Sequence, residues 1–457
     1  MGLLFFPRGG SSHVAQNLAA ALPAAGWHAT ILSGSLRIAG RPGDAHAFYR
    51  GLDIHAVDFT AALEAPDPLL ADPPFHPSYE DRPGAPDRIM CSLDDERYGH
   101  QVEAWAKALA RAGAAEADVL HLHHLTPINE AAGRVAPGVP VVGHIHGTEL
   151  LMLEAIEGGG RSAWPHAGAW AERLRGWAAR CDRVILLSPT QIPRVERLLD
   201  LPPDRCVCVP NGFDPETFTR RPVPRLAHWR RHLVEQPQGW APGAEAGSVR
   251  YTEGDLEPFA GDGPVLLYVG RFTDVKRVPL LIEAYARARP GYNARAPLVI
   301  LGGYPGEWEG EHPLEAIART GARDVFLAGW HGHDELPAFL SASDAVVLPS
   351  VREQFGQVLV EGMACGLPVV AVNAYGPAEI VDHGETGWLV PPDDCVALAN
   401  ALVEAVNRPQ ERARRGERAR ETAQARYGWP ALAERVAGVY EAARTARNGE
   451  EGLLTGA

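Results

Sequence analysis

Short apolar segments alternate with amphipathic segments along nearly the whole chain, an order typical of βαβ units on parallel sheets. The apolar segments predict strands at residues 3–7, 28–32, 119–123, 140–144, 183–187, 206–209, 265–269, 298–301, 325–327, 345–348 and 368–372. The amphipathic segments predict helices at residues 13–25, 101–112, 167–179, 278–288, 335–341 and 357–365. The sequence therefore predicts an α/β protein built from doubly wound, Rossmann-like parallel sheets.

Two irregular segments interrupt this pattern. Residues 40–96 are rich in proline and aspartate, and a loop of that length is usually functional or mobile. Residues 213–262 have no clear periodicity, so we place the domain junction there. The chain has 457 residues, which suggests two or three domains. We predict a first domain at 1–212, a linker or insertion at 213–262, a second domain at 263–429, and a C-terminal helix at 430–457 that returns toward the first domain.

Composition and charge exclude several classes of protein. Asp and Glu number 57 against 43 Lys and Arg, giving a formal net charge of −14, which is unfavourable for binding nucleic acid or an anionic membrane. No apolar run is long enough to span a bilayer, and the first ten residues do not resemble a signal peptide. The six cysteines are scattered, as expected of free thiols in a reducing compartment. These features predict a cytoplasmic protein.

The segment from Ser350 to Pro368 is the most informative part of the sequence. It follows a predicted strand, bends at Phe355-Gly356, and begins a helix whose first free amides belong to Gln357 and Val358. Such a helix N-terminus binds anions, because its unpaired N–H groups and its dipole both favour negative charge. Glu353 precedes this turn and could accept hydrogen bonds from sugar hydroxyls. Glu361 lies inside the helix, where it is either an ordinary helical glutamate or an acceptor for a ribose diol.

This segment, Glu353-x7-Glu361 with Phe355-Gly356 inside it, resembles the signature of the retaining glycosyltransferases of family 4, which have the GT-B fold of two Rossmann-like domains. Other elements of that family recur in order. They are Gly9-Gly10 in the first βα turn, His146-Gly147, Pro210-Asn211-Gly212, and Gly270-Arg271 with Lys276, although Arg277 stands where the family usually has glycine. The resemblance covers roughly residues 1–40 and 115–445, whereas residues 40–115 and 222–262 match nothing in the family.

The resemblance implies a retaining hexosyltransferase that moves a sugar from a nucleoside diphosphate, UDP rather than GDP or ADP, to an unidentified acceptor hydroxyl. The donor would lie mostly in the second domain and the acceptor mostly in the first. Two cations on the leaving diphosphate would do the work that a metal does in other transferases, and the chain has no Asp-x-Asp. We therefore expect no cofactor and no metal. The predicted catalytic residues are His146, Arg271, Lys276 and Glu353, and the predicted donor-binding residues are Gly10, Phe355, Gly356, Gln357, Val358 and Glu361.

Several alternatives remain open at this point. His144 competes with His146 for the place at the reacting centre. His121, His123 and His124 could suggest a metal cluster, but we interpret them as strand-end residues because no carboxylate or thiolate joins them at ligand spacing. A nucleotide-sugar 2-epimerase of the same architecture and a non-catalytic nucleotide-sugar-binding protein are the alternative functions. The predicted partners are a nucleotide-sugar donor and a small-molecule or glycoconjugate acceptor, with no nucleic acid and no transmembrane segment.

Overall fold

The computed structural model describes residues 1–7, 9–38, 43–80, 87–159 and 164–454, with side chains to residue 447. The chain divides into two compact units. The first unit contains residues 1–211 and 429–457, and the second contains residues 212–428. Each unit is built around one parallel sheet, which agrees with the predicted fold class.

The sheet of the first unit has seven strands in the order β3-β2-β1-β4-β5-β6-β7. They are β1 (Gly2–Leu3), β2 (Thr30–Ser35), β3 (Asp53–Asp58), β4 (Leu120–His123), β5 (Val141–Ile145), β6 (Arg183–Leu186) and β7 (Cys206–Cys208). The sheet of the second unit has six strands in the order β10-β9-β8-β11-β12-β13. They are β8 (Leu266–Val269), β9 (Leu298–Leu301), β10 (Val325–Gly329), β11 (Ala345–Leu348), β12 (Val369–Val372) and β13 (Gly387–Val390).

Helices follow most of these strands. The first unit contains α1 (Gly10–Ala21), α2 (Ala45–Phe48), α3 (Asp95–Arg111), α4 (Pro127–Val135), α5 (Thr148–Glu157), α6 (Ala167–Arg180) and α7 (Ile192–Leu199). The second contains α8 (Arg225–Arg230), α9 (Glu257–Ala260), α10 (Val278–Ala288), α11 (Pro313–Thr320), α12 (Leu336–Ser341), α13 (Gln357–Ala364), α14 (Tyr375–Ile380), α15 (Cys395–Asn407) and α16 (Pro409–Tyr427). The last helix, α17 (Trp429–Leu454), belongs to the first unit. None of the helices in the described ranges is both long and apolar enough to cross a bilayer.

The central strands are covered on both faces. Every residue of β9 and of β11 is buried, and parallel strands covered on both faces read as continuous apolar runs. The first strand, predicted at residues 3–7, is limited in the structure to Gly2–Leu3.

Residues 40–96 are more ordered than the predicted loop. They include α2 and β3, and β3 pairs with β2 along its full length from Thr30↔Asp53 to Ser35↔Asp58. The segment also contributes Phe59 and Phe75 to the core, where each is at most 1% exposed. The prediction of a long irregular loop was therefore wrong for the described part of this segment.

The segment 213–262, predicted as a linker or insertion, is part of the second compact unit. It contains α8, α9 and a π-helical turn at Arg231–Glu235. Trp229 is fully buried against Phe259 and Phe339, and Trp240 Nε1 donates to the carbonyl of Gly303 at 3.1 Å. These contacts make the segment a packed layer of the second unit.

Candidate active site

The turn between β11 and α13 has the geometry that its sequence predicts. Gly356 lies in the left-handed region at φ +99° and forms the N-cap of α13, a conformation that favours glycine. No side chain in the described ranges caps this helix end, so the N–H groups of Gln357 and Val358 are free to bind an anion. The Gln357 side chain donates instead to the carbonyl of Gly212 at 2.8 Å. The Phe355 side chain is buried, which leaves its backbone at the turn.

Lys276 and Glu353 come together in the second unit. Lys276 ends a 3-10 turn after β8, and its Nζ forms an ion pair with Glu353 Oε2. Each of the two side chains is 19% exposed. The ion pair therefore joins the turn after β8 to the turn before α13.

Arg271 follows β8 and belongs to the same part of the second unit. The hydroxyl of Tyr268 donates to the carbonyl of Arg271 at 2.8 Å. Burial raises the pKa of Tyr268, Glu353 raises it further, and Arg271 lowers it. The charges of Arg271 and Glu353 therefore both act on the same buried phenol, and Glu353 is in turn the ion-pair partner of Lys276.

Glu361 has a partner in the structure that its sequence neighbours do not reveal. It is 2% exposed, and its Oε1 lies 2.8 Å from Nε2 of His333, in the loop after β10. Burial opposes a charge on His333, but the hydrogen bond to Glu361 and the charge of Glu361 raise the pKa of His333 above its ordinary value. His333 is a site residue that the sequence analysis missed.

Arg277 replaces the glycine of the family at a left-handed position, with φ +55°. Its guanidinium donates to Asp393 at 2.6 Å and to the carbonyl of Asp274 at 2.8 Å. A left-handed conformation costs a non-glycine residue about 1 to 2 kcal/mol, and these two hydrogen bonds offset part of that cost. Arg277 thus adopts a left-handed conformation that glycine adopts at lower cost.

In the first unit, two predicted residues lie at helix or strand ends. Gly10 is the first residue of α1, and a Cβ added there would meet no atom within 4 Å. His146 follows β5 and precedes Gly147, which has φ +97°.

His146 belongs to a block of four histidines, because β4 and β5 lie side by side with His123 opposite His144. His121 Nε2 lies 3.2 Å from His144 Nδ1, and His123 Nδ1 lies 3.0 Å from His146 Nε2. The two pairs stack, with ring centroids 4.5 Å apart for His121 and His123 and 4.3 Å apart for His144 and His146. The competing candidate, His144, therefore stacks on His146 and is hydrogen-bonded to His121.

A fifth histidine, His124, is held by a carboxylate. Its Nδ1 lies 2.7 Å from Oε1 of the fully buried Glu149, whose Oε2 accepts from the N–H of Gly147 at 3.0 Å. His124 has φ +67°, an uncommon conformation for a residue other than glycine. The expectation that no carboxylate joins these histidines was therefore wrong, because Glu149 reaches them from α5.

The donor atoms of His121, His123 and His144 lie within 4.8 Å of one another, close enough for a metal ion. However, these three rings are nearly parallel, with interplanar angles of 12° to 27°. Lone pairs on parallel rings do not converge on one point, whereas the ligands of a tetrahedral ion do. In this arrangement the rings form hydrogen-bonded pairs, and a metal ion would require them to rotate.

The comparisons with known proteins agree with this architecture. The family model described as "Glycosyltransferase Family 4" matches residues 8–217, and the model described as "Glycosyl transferases group 1" matches residues 255–422. A D-inositol 3-phosphate glycosyltransferase of Saccharomonospora viridis is 30% identical over 343 residues, which are 73% of this chain and 72% of that protein.

Two solved structures share the fold. Sucrose-phosphate synthase of Thermosynechococcus elongatus aligns with a TM-score of 0.67 at 21% identity, covering 96% of this chain and 98% of that one. HepE of Anabaena, solved in complex with UDP-glucose, aligns with a TM-score of 0.64 at 19% identity, covering 96% and 99%. The fold is therefore that of GT-B proteins.

Proposed function

The chain belongs to glycosyltransferase family 4, and we propose that it transfers a hexosyl group from a nucleoside diphosphate to an acceptor hydroxyl with retention of configuration and without a metal ion. The observation that carries this proposal is the meeting of Lys276 with Glu353 in the second unit. This ion pair places a cation that would bind the diphosphate beside a carboxylate that would bind the sugar. The free N–H groups of α13 add a second source of positive potential for the diphosphate.

In the proposed reaction the bond between the anomeric carbon and the diphosphate oxygen breaks, and the acceptor oxygen bonds to the same face of that carbon. The acceptor proton passes to the leaving diphosphate, so no side chain acts as a strong base. Arg271, Lys276 and the start of α13 would stabilise the charge that develops on the leaving group. Catalysis then consists of positioning and charge stabilisation.

Glu361 is proposed to accept from the ribose hydroxyls. Its Oε1 is bonded to His333, so Oε2 is the atom that would face the ribose. HepE binds UDP-glucose, and the family commonly uses uridine donors, so we propose UDP in preference to GDP or ADP. No disulfide joins the six cysteines, all of which lie in the described ranges, and this supports the proposal of a reducing, cytoplasmic location.

To test this proposal, the full chain is incubated with UDP-, GDP- and ADP-sugars in the presence of EDTA, with and without a panel of sugar and polyol acceptors. The products are then identified. Release of nucleoside diphosphate together with a new glycoside supports the proposal. An altered sugar still attached to its nucleotide would indicate the 2-epimerase. Binding without turnover would indicate the non-catalytic protein.

A further inference from the structure

The contacts of His146 and His123 define which atoms are available for hydrogen bonding. His146 uses Nε2 in its contact with His123 Nδ1 at 3.0 Å. Within the described part of the chain, the Nδ1 of His146 makes no hydrogen bond, and His146 is only half-buried. If His146 contacts a substrate, it therefore does so through Nδ1.

His123, the buried member of this pair, determines which nitrogen of each ring carries the hydrogen. His123 is 1% exposed, and its Nε2 has no hydrogen-bond partner among the described residues. A buried N–H without an acceptor costs about 1 to 3 kcal/mol, and orphaned N–H groups are rarer in proteins than under-used acceptors. The Nε2 of His123 is therefore the nitrogen without a proton, and its Nδ1 carries the hydrogen. That N–H donates to His146 Nε2, which places the hydrogen of His146 on Nδ1.

The surroundings keep both rings neutral, which a defined tautomer requires. Burial lowers the pKa of His123 and of His146 well below the ordinary value, and the neighbouring histidines lower each pKa further. The stacking of His144 on His146 at 4.3 Å restricts rotation of the His146 ring.

We infer that His123 is a positioning residue that fixes His146 as the Nδ1–H tautomer, so that His146 presents a hydrogen-bond donor to an oxygen of the transferred sugar. The contact between His146 and the sugar rests on the function proposed above, whereas the tautomer of His146 does not depend on that function. A donor at this position suits a hydroxyl or ring oxygen of the sugar, and it leaves no basic nitrogen exposed to remove the acceptor proton.

The test has a spectroscopic and a kinetic part. Imidazole 15N–1H correlation spectra at about pH 7 report the tautomer of each histidine, and the spectrum of His146→Gln identifies the His146 signals among the 18 histidines. The variants are His123→Leu, which removes the donor, and His123→Asn, whose amide places an N–H near the position of Nδ1. His121→Leu is the matched control, since His121 lies on the same face of β4 but belongs to the other pair.

We expect the Nδ1–H tautomer at His146 in the wild type, its retention in His123→Asn and His121→Leu, and its loss in His123→Leu. With a matching donor, kcat should fall about 10-fold in His123→Leu and recover in His123→Asn. An Nε2–H tautomer at His146 in the wild type overturns the inference, even if His123→Leu does not fold. A wild type with the expected tautomer but no turnover with any nucleotide sugar would contradict the proposed function alone.

Discussion

Among single residues, the two cations Arg271 and Lys276 are proposed to stabilise the leaving diphosphate. Arg271→Ala and Lys276→Ala should each lower kcat by about 100-fold or more, because each removes positive charge from the developing diphosphate. Steady-state rates and far-UV circular dichroism measure the activity and the fold. Arg414→Ala is the control, since it removes an exposed, paired arginine of α16 in the same unit. Near-normal turnover in either site variant would exclude that residue from the site.

Replacing Glu361 and replacing Glu353 should have different kinetic effects. Glu361 is proposed to bind the ribose in the ground and transition states alike, so Glu361→Gln should raise the KM for the donor and weaken UDP binding with little change in kcat. Glu353 is proposed to bind the sugar, whose ring changes shape as the bond breaks, so Glu353→Gln should lower kcat. Its loss also releases Lys276 from an ion pair, and UDP should bind Glu353→Gln at least as tightly as the wild type.

Calorimetric titration with UDP and steady-state kinetics with the matching donor distinguish the two variants. An equal loss of UDP affinity in both, or a full kcat in Glu353→Gln, would contradict the assigned roles.

The positions of the candidate site residues in the fold could largely be predicted from the sequence, but their partners could not. The paired carboxylates of the Glu353-x7-Glu361 segment and the free end of α13 are visible in the sequence, because a glycine turn before a helix is a local feature. The pair between His123 and His146 depends on the register of β4 against β5, and a shift of one residue would turn these side chains to the opposite face. Two His-x-His segments at the ends of neighbouring strands were the only signal.

Among the secondary-structure elements, the turn at Gly356 should be destabilised by the single methyl group that alanine would add. Alanine at φ +99° costs about 1 to 2 kcal/mol, and its Cβ would lie 3.1 Å from Leu359 Cδ1 and 3.5 Å from Glu353 Cγ. Gly356→Ala should therefore lower both thermal stability and UDP affinity. Gly384→Ala is the matched control, because Gly384 has φ +85° and open space around it. Equal losses of UDP affinity in the two variants would contradict the role of this turn.

The strands that the sequence did not predict, β3 and β13, are both at the edge of a sheet. Central strands are buried on both faces and appear as continuous apolar runs. By contrast, β3 reads Asp-Ile-His-Ala-Val-Asp and is only partly buried. Mixed composition therefore explains why β3 was missed, whereas β13 is a short apolar segment, Gly-Trp-Leu-Val, that is mostly buried.

At the scale of the whole molecule, the buried histidines should make the fold sensitive to acid. Burial, reinforced by the charge of His124, lowers the pKa of His144 to about 3, against about 6.5 in an unfolded chain. Above about pH 6.5 neither state binds the proton. Between these two pKa values only the unfolded state binds the proton, so the free energy of unfolding falls as the pH falls. At pH 5 the contribution of His144 to this loss is about 2 kcal/mol.

Urea unfolding at about pH 7 and pH 5 measures this effect. His144→Leu should show a smaller loss between the two pH values than the wild type. An equal loss in both proteins would mean that His144 is not kept neutral by the fold.

The packing of residues 213–262 into the second unit is the feature at this scale that the sequence did not predict. The segment 213–262 has no periodicity, yet its tryptophans are buried in the second unit. Burial of isolated aromatic residues depends on contacts with distant elements, such as that of Trp229 with Phe339 of α12. Local patterns carry no information on such contacts.

The configuration of the product shows directly whether the sugar is transferred with retention. The full chain is incubated in EDTA with an α-linked UDP-hexose and the acceptor panel, and proton NMR follows both the release of UDP and the anomeric signal of the new glycoside. Transfer with retention and without a metal ion should give UDP release in EDTA and an α-linked product, because the acceptor attacks the face from which the diphosphate leaves. A β-linked product, or a strict requirement for added magnesium or manganese, would contradict it.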